Sequence, residues 1–296
     1  MAREAYGVFE GGGVKGIALV GALKAAEELG FTFRAVAGTS AGAIVASLVA
    51  AGYTADELRL ILMEKDFKDF MDPVASGITG WIPGSNFAKA WNAMGLYKGD
   101  HFHDWMREKL SWKIFGNKRK SPTFNDLLEK TGIPLKVVTI ELISQKVRAF
   151  ESHRNETMHV ADAVRMSMSI PFFFVPYRRG SEMYVDGGVL SNFPAWVFKK
   201  VQDIEPLPVL GFRFEPDSSD LITNVWELSL ALIGTIQKIG EQLLNEDTPN
   251  ITPVNLPTLG IGTTDFDLTD TDKENLYQWG YERAQGSLLD SFPPTP

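Results

Sequence analysis

The sequence predicts an α/β fold with three layers, α/β/α, in which helices cover both faces of a mainly parallel central sheet. Segments typical of strands alternate with segments typical of helices along the 296 residues, and such alternation is typical of parallel strands joined by helical crossovers. Glycines end the first two predicted helices, at Gly30 and Gly52. Because 44% of the residues are hydrophobic and no segment is of low complexity, we expect a large buried core.

The N-terminal part contains two consecutive strand–loop–helix units followed by another helix. Hydrophobic periodicity predicts a strand over 5–9, a helix over 14–29, a strand over 33–39 and a helix over 41–51. Thr54 and Glu57 then have the spacing of a capping box, which predicts the start of a third helix.

The rest of the chain contains one irregular stretch and several further elements. Glycines, prolines and aromatic residues dominate 65–99, which we interpret as an excursion or lid. The elements predicted after it are helices over 101–110 and 123–130, a hairpin of 134–143 and 146–151, a helix over 158–169, strands over 172–177, 182–185 and 208–214, and helices over 221–244 and 271–287. We expect a single domain over residues 1–296, with a motif-bearing core at about 5–214, an insertion or lid at about 65–130 and a C-terminal helical part at about 215–296.

The composition excludes several classes of function. With 29 basic and 37 acidic residues the net charge is −8, so no nucleic-acid partner is expected. The chain has no cysteine, which excludes disulfides, thiolate nucleophiles and cysteine-bound metals. No cofactor and no metal site is predicted. The N-terminus lacks a signal-peptide pattern and the longest weakly polar stretch, 41–52, is too short to cross a bilayer, so we expect a cytoplasmic protein with at most peripheral membrane contact.

The most informative motif is G-T-S-A-G, from Gly38 to Gly42, which places Ser40 between a predicted strand and a predicted helix. In this context G-x-S-x-G is typical of a nucleophile elbow, a sharp turn that needs small neighbours such as Ala41 and Gly42. The alternative is a plain strand-to-helix turn in which Ser40 caps the helix.

A second glycine motif lies between the first predicted strand and helix. Gly11, Gly13 and Gly16 satisfy G-x-G-x-x-G, the dinucleotide fingerprint, but the next strand ends in Ser40 and not in the acidic residue that would hold a ribose. The alternative is an oxyanion hole. A right-handed crossover brings the ends of both strands to one edge of the sheet, where the amides of Gly12 and Gly13 would face an oxyanion formed on Ser40.

A nucleophilic serine needs a base, and the histidines do not supply an obvious one. The last of the four is His159, whereas an α/β-hydrolase triad has its histidine late in the chain. His101 and His103 have the spacing of metal ligands without a third partner, and we leave them unassigned. Asp186, at a strand end before Gly187 and Gly188, is the alternative base; a plain Asp-Gly turn is the other interpretation.

Taken in order, these three motifs resemble the pattern of the patatin-like phospholipases. That family has a G-G-G-x-[RK]-G loop, a G-x-S-x-G elbow and a downstream D-G-[GA], which match residues 11–16, 38–42 and 186–188. Residues 167–171, Asn192 and Pro194 are also similar to the family pattern, and the resemblance spans about residues 5–214. Lys15 stands where arginine is commoner.

The resemblance implies a patatin-like fold and a serine-dependent lipid acyl hydrolase of the phospholipase A or lysophospholipase type. Ser40 would be the nucleophile and Asp186 the base. The oxyanion hole would consist of backbone amides in the loop of Gly11, Gly12, Gly13 and Val14. Lys15, Gly16, Gly38, Gly42, Gly187 and Gly188 would support the motifs, with Lys15 either positioning an anionic headgroup or simply exposed.

Substrate and partners are predicted only in outline. A phospholipid or other acyl lipid is the expected substrate, with aromatic residues in 67–91 and 172–174 as candidates for an acyl pocket, a bilayer contact or the core. Residues 107–120 carry six basic residues and one acidic residue, which fits a solvated surface or an anionic-lipid contact. A homodimer stays open. So do two other functions, an acyltransferase with the same acyl-enzyme and a nucleotide-binding module.

Overall fold

The computed structural model describes residues 3–74, 92–215, 222–223, 225–246 and 248–293, without the side chains of residues 225–227 and 230. Its strands are β1 (Arg3–Phe9), β2 (Phe31–Thr39), β3 (Gly95–Tyr97), β4 (Leu135–Glu141), β5 (Lys146–Glu151), β6 (Phe172–Phe174), β7 (Tyr177–Arg179), β8 (Glu182–Asp186), β9 (Val209–Phe214) and β10 (Ile251–Leu256). Its helices are α1 (Gly16–Glu28), α2 (Ala41–Ala50), α3 (Ala55–Met63), α4 (Asp100–Phe115), α5 (Phe124–Thr131), α6 (Val160–Ser167), α7 (Lys199–Gln202), α8 (Val225–Asn245) and α9 (Asp270–Ser291).

Within the described residues, eight strands form the main sheet in the order β10-β9-β1-β2-β4-β8-β7, with β5 also paired to β4. The five strands from β10 to β4 are parallel to their neighbours. Strands β5, β7 and β8 form the antiparallel pairs at the other end. The predicted α/β class with a mainly parallel sheet is therefore confirmed.

Strand β1 shows why the sheet is covered on both faces. Ala5 and Phe9 belong to a large apolar cluster that includes side chains of α1 and α2. Tyr6 and Val8, which point the opposite way in a strand, belong to a second cluster that includes side chains of residues 193–198. Such burial on both faces is expected for a parallel sheet between two layers.

Helices α1 and α9 approach each other closely through glycines. A Cβ atom at Gly21 would lie 2.0 Å from the Tyr277 carbonyl oxygen, and one at Gly280 would lie 2.2 Å from the Ala18 carbonyl oxygen. Only a residue without a side chain fits such a contact. The last helix of the chain is thus packed directly on the first.

The part after residue 214 was expected to be helical, and this expectation is incomplete. Strand β10 joins the edge of the main sheet, parallel to β9 and with Pro253 opposite Gly211. Proline lacks the N–H of a ladder and is tolerated on an edge strand, so its presence masked the strand pattern.

Two further differences concern the middle of the chain. Residues 172–174 do not join the main sheet but pair with β3 in a separate two-stranded sheet. Strand β3 was not predicted, because it is only three residues long and lies within the glycine-rich excursion. Residues 75–91 of the predicted lid lie outside the described residues. Among the helices that the structure describes, none combines the length and apolar character needed to cross a bilayer.

Candidate active site

The sheet itself brings Ser40 and Asp186 together. Strand β5 pairs with one edge of β4, so β2 and β8 both pair with the other edge. Strand β2 ends with Thr39 opposite Val138, and β8 runs the other way and ends with Asp186 opposite Thr139. The two strands therefore meet end to end. Ser40, which follows Thr39, and Asp186, the last residue of β8, become neighbours as a result.

Ser40 occupies a strained turn between β2 and α2. Its backbone has φ 53° and ψ −124°, a conformation that side-chain-bearing residues rarely adopt and that is typical of functional turns. A Cβ atom at Gly38 would lie 2.2 Å from the Gly42 carbonyl oxygen, and one at Gly42 would lie 2.0 Å from the Phe9 carbonyl oxygen. Both glycines of the pentapeptide are thus required by close backbone contact.

A buried serine supports this turn from behind. The Ser40 amide donates to the Ser167 hydroxyl at 2.9 Å, and that hydroxyl donates to the Val138 carbonyl at 2.6 Å. Ser167 lies at the end of α6 and is fully buried. These two hydrogen bonds connect Ser40 through Ser167 to β4 and hold the strained backbone in place.

Asp186 is buried beside the Ser40 side chain. Burial raises the pKa of Asp186 to about 7, against hydrogen bonds from the Ser40 side chain and from the Gly188 amide, which lower it. The Gly188 amide donates to Oδ1 at 2.7 Å. A Cβ atom at Gly187 would lie 2.5 Å from the Val138 carbonyl oxygen, so the glycine is needed for the turn to pack against β4. A carboxyl group with this pKa is suited to proton transfer near neutral pH.

The glycine loop after β1 is held from both sides. The Gly11 amide donates to the Asn192 carbonyl at 3.1 Å, and Asn192 Nδ2 donates back to the Gly11 carbonyl at 2.7 Å. The Val14 amide donates to the Thr263 carbonyl at 3.3 Å. Of the four residues expected to form the oxyanion hole, Gly11 and Val14 thus use their amides in internal contacts. Within the described residues, no protein acceptor is assigned to the Gly12 and Gly13 amides.

Lys15 is a buried residue and not an exposed one. Its exposed fraction is 4%, and its Nζ lies 5.4 Å from the centroid of the Phe214 ring. The glycine at position 12 makes room for this ring, because a Cβ atom there would lie 2.3 Å from it. The short helix Gly13–Lys15 therefore packs its lysine inward against the end of β9.

His101 and His103 make their contacts away from this arrangement. His103 Nε2 lies 2.7 Å from the Asp162 carboxylate, and His101 Nδ1 lies 3.0 Å from the Asp69 carbonyl oxygen. Neither contact involves Ser40 or Asp186. Among the described residues, no group of three or more histidine, aspartate or glutamate side chains is placed to hold a metal ion.

An apolar cavity extends from Ser40. Among the described residues that line it, Ser40 alone carries a hydroxyl group, and the others are apolar apart from the indole N–H of Trp105. Phe67 and Phe70 of the predicted lid line the cavity, as does Phe174, whereas Phe172 is exposed. The cavity is lined by Gly13, Val14, Gly16, Ile17, Ser40, Ala41, Ile44, Val45, Leu62, Phe67, Phe70, Phe102, Trp105, Met168, Ile170, Phe174 and Phe266.

Comparison with known protein families decides the classification. The family model described as patatin-like phospholipase matches residues 7–199. The chain belongs to the patatin-like phospholipase family. The matched range includes the glycine loop, the Ser40 turn and the Asp186 turn described above, and the predicted resemblance is confirmed.

The chain is also similar in sequence to two curated proteins and in fold to a solved structure. The chain is 36% identical over 292 residues to the uncharacterized protein YqhO of Bacillus subtilis, covering 94% of this chain and 96% of that protein. It is 28% identical over 189 residues to the probable lipid hydrolase 463L of Invertebrate iridescent virus 6, covering 63% and 60% of the two chains. VipD from Legionella pneumophila has a similar fold, with a TM-score of 0.54 at 19% identity, over 98% of this chain and 67% of that one.

Several residues around the site were not singled out from the sequence. Thr263 and Phe266 lie more than two hundred residues from Ser40 and carry no motif. Ser167 had only the family resemblance of its segment to indicate it. Glu10 precedes the glycine loop, and a lone charged residue next to glycines gives no signal of burial. The structure adds all four to the surroundings of the glycine loop and the Ser40 turn.

Proposed function

We propose that the protein is a serine-dependent lipid acyl hydrolase that works through an acyl-enzyme on Ser40, with Asp186 as the base. The observation that carries the proposal is the cavity, in which the hydroxyl-bearing Ser40 is surrounded by apolar side chains. Such a lining favours a hydrocarbon chain as the bound group. The lipid-hydrolase name of the viral relative and the family description support the same class of activity.

In the first half of the proposed reaction, Ser40 Oγ attacks the ester carbonyl carbon and its proton passes to the Asp186 carboxylate. The carbonyl oxygen becomes an oxyanion, which the amides of Gly12 and Gly13 stabilise. When this intermediate collapses, the C–O bond to the alcohol breaks and the alcohol takes the proton from Asp186. Because Asp186 must be ionised at the start and its pKa is raised to about 7, acylation should decline as the pH falls through 7.

In the second half, water attacks the acyl group on Ser40 and gives its proton to Asp186. Collapse of the second intermediate breaks the bond between Ser40 and the acyl carbon, and Ser40 recovers the proton. The fatty acid leaves and the enzyme returns to its initial state. Transfer to an alcohol in place of water would give the acyltransferase that the sequence leaves open.

The test compares wild type, Ser40→Ala and Asp186→Asn on a p-nitrophenyl ester and on mixed phospholipid vesicles, with released fatty acid quantified. We expect both variants to lose at least about a thousandfold in kcat/KM, as removal of a nucleophile or its base does in other serine enzymes. Circular dichroism checks that the variants are folded. Wild-type activity that both folded variants retain would contradict the proposal, and an ester product in the presence of added alcohol would favour the acyltransferase.

Two partner predictions belong to the same proposal. Four basic side chains of segment 107–120 form ion pairs: Arg107 with Asp104, Lys113 with Glu57, Lys118 with Glu108 and Lys120 with Asp126. Because these charges are already paired, the segment is less suited to bind anionic lipid. A peripheral membrane contact stays a prediction. So does a cytoplasmic location, which these ion pairs do not concern. For the homodimer, the exposed face of α8 is the surface we favour.

A further inference from the structure

The residue that precedes the glycine loop has a buried carboxyl group. Glu10 is the last residue before Gly11, and its exposed fraction is 6%. One carboxyl oxygen accepts the Phe214 amide at 2.5 Å, and the other accepts Asn192 Nδ2 at 3.3 Å. Glutamate is rarely buried without such partners, and nothing in the proposed reaction uses this group.

The Asn192 side chain links the Glu10 carboxyl group to the loop through two hydrogen bonds. Asn192 Nδ2 donates both to Glu10 and to the Gly11 carbonyl. Through these contacts Glu10 connects the end of β1 with the end of β9 and with the segment that follows Asp186. These contacts link Glu10 to Gly11, which precedes Gly12 and Gly13, and to Phe214, whose ring lies against Gly12.

The charged groups facing Glu10 come from two other elements. Glu241 on α8 accepts the Phe193 amide at 3.2 Å and pairs with Arg213 of β9 at 3.2 Å. Burial and then the Glu241 charge raise the pKa of Glu10, against the Phe214 amide, Arg213 and Asn192, which lower it, and the balance places the pKa at about 7. Glu10 thus changes charge close to neutral pH.

We infer that Glu10 is a positioning residue for the oxyanion loop and that its ionisation slows acylation at high pH. The inference rests on the proposed function. A negative charge beside this loop destabilises an oxyanion next to Gly12 and Gly13, whereas a neutral carboxyl group does not. Ionised Glu10 therefore places a charge of the wrong sign for the transition state beside the loop at high pH, and neutral Glu10 does not.

The test measures kcat/KM for p-nitrophenyl butyrate from pH 5.5 to 9 in wild type and Glu10→Gln. Glutamine resembles the neutral carboxyl group, so the ratio of Glu10→Gln to wild type should rise with pH, by about three- to tenfold across the range. A merely structural Glu10 would give a ratio that is the same at every pH, and that result would overturn the inference.

Glu241→Gln is a second variant, and it should shift the high-pH decline instead of removing it. Removing the Glu241 charge lowers the pKa of Glu10, because the repulsion is lost and Arg213 remains. The high-pH decline should then begin at a lower pH than in wild type, and an unchanged or higher onset would also overturn the inference. Ser40→Ala separates the two proposals. If it is as active as wild type, the hydrolase proposal fails; if activity depends on Ser40 and the ratio stays flat with pH, only the role of Glu10 fails.

Discussion

At the scale of single residues, the site depends on positions where no side chain fits. Ser40 has a positive φ in a turn where Gly38 and Gly42 allow β2 and α2 to approach closely. Strain of this kind costs about 1–3 kcal/mol and persists where the surrounding structure enforces it. Here the Ser167 hydroxyl, which accepts the Ser40 amide, supplies part of that enforcement.

Gly42→Ala tests this requirement. The new Cβ atom would lie 2.0 Å from the Phe9 carbonyl oxygen, so the backbone of the turn has to move. We expect a destabilisation of about 1–3 kcal/mol and a loss of Ser40 labelling by a fluorophosphonate probe. Urea unfolding and the labelling rate provide the measurements.

Gly286→Ala is the matched control for that substitution. Gly286 lies within α9, and a Cβ atom there would meet nothing within 4 Å. Alanine should stabilise this helix position by up to about 1 kcal/mol without affecting labelling. Equal behaviour of the two variants would show that close contact at position 42 does not hold the turn.

At the scale of elements, the cavity is an interface between helices and loops distant in sequence. Side chains of α2, α3 and α4 line it together with Phe174 and with Phe266 from the segment between β10 and α9. Phe266 stacks on Phe173 with ring centroids 5.2 Å apart. The acyl pocket we propose is therefore completed by the C-terminal part of the chain.

Leu62 and Leu60 provide a matched pair on α3. Leu62 lines the cavity, whereas Leu60 is 62% exposed. We expect Leu62→Trp to lower kcat/KM for long-chain p-nitrophenyl esters about tenfold or more relative to the butyrate ester, because the indole fills space that a long acyl chain needs. Leu60→Trp should leave the chain-length profile unchanged. If both variants keep the wild-type profile, the cavity does not hold the acyl chain.

At the scale of the whole molecule, α8 carries an apolar face that the described residues do not cover. Five large side chains lie within one arc of the helix and are 47–68% exposed: Leu228, Leu232, Ile236, Ile239 and Leu243. The opposite face is fixed to residues 190–196, since Gly240 abuts Leu190 and Asn245 accepts the Trp196 amide.

A second copy of the chain is the occupant we expect on this face. The five side chains expose roughly 500 Å² together, so pairing two copies would bury about 1,000 Å², close to the lower limit of specific interfaces. A lipid surface is disfavoured, because interfacial helices are rich in basic residues and the described side chains of α8 include a single cation, Lys238.

Leu232→Asp should therefore weaken self-association. In sedimentation equilibrium we expect a dimer for wild type and a mostly monomeric protein for Leu232→Asp, because a charge would be buried in the interface. Lys238→Gln, on the same helix but outside the arc, should stay dimeric. A wild-type monomer that floats with neutral phospholipid vesicles would favour the membrane instead.

The single-domain organisation over residues 1–296 also stays a prediction. It is supported by β10, which extends the sheet that contains β1, and by α9, which packs on α1 through Gly21 and Gly280. Both elements come from the part of the chain beyond the family match. The structure therefore joins the unmatched C-terminal part to the motif-bearing core.

The class of fold, the order of most elements and the three motifs could all be predicted from the sequence. These features are local, because periodicity, glycine turns and a strand–turn–helix serine depend on residues close to one another in the chain. The sequence also indicated Ser40 and Asp186 as a pair, but through the family resemblance and not through any spacing that brings them together.

Which groups meet around that pair could not be predicted from the sequence and is seen in the folded chain. The contact of Ser40 with Asp186 depends on β2 and β8 sharing one edge of β4, and the burial of Glu10 and Lys15 depends on the end of β9. Thr263 and Phe266 reach the glycine loop and the cavity from the far end of the chain. Contacts of this kind arise from strand pairing and packing between distant segments, which a local sequence pattern does not encode.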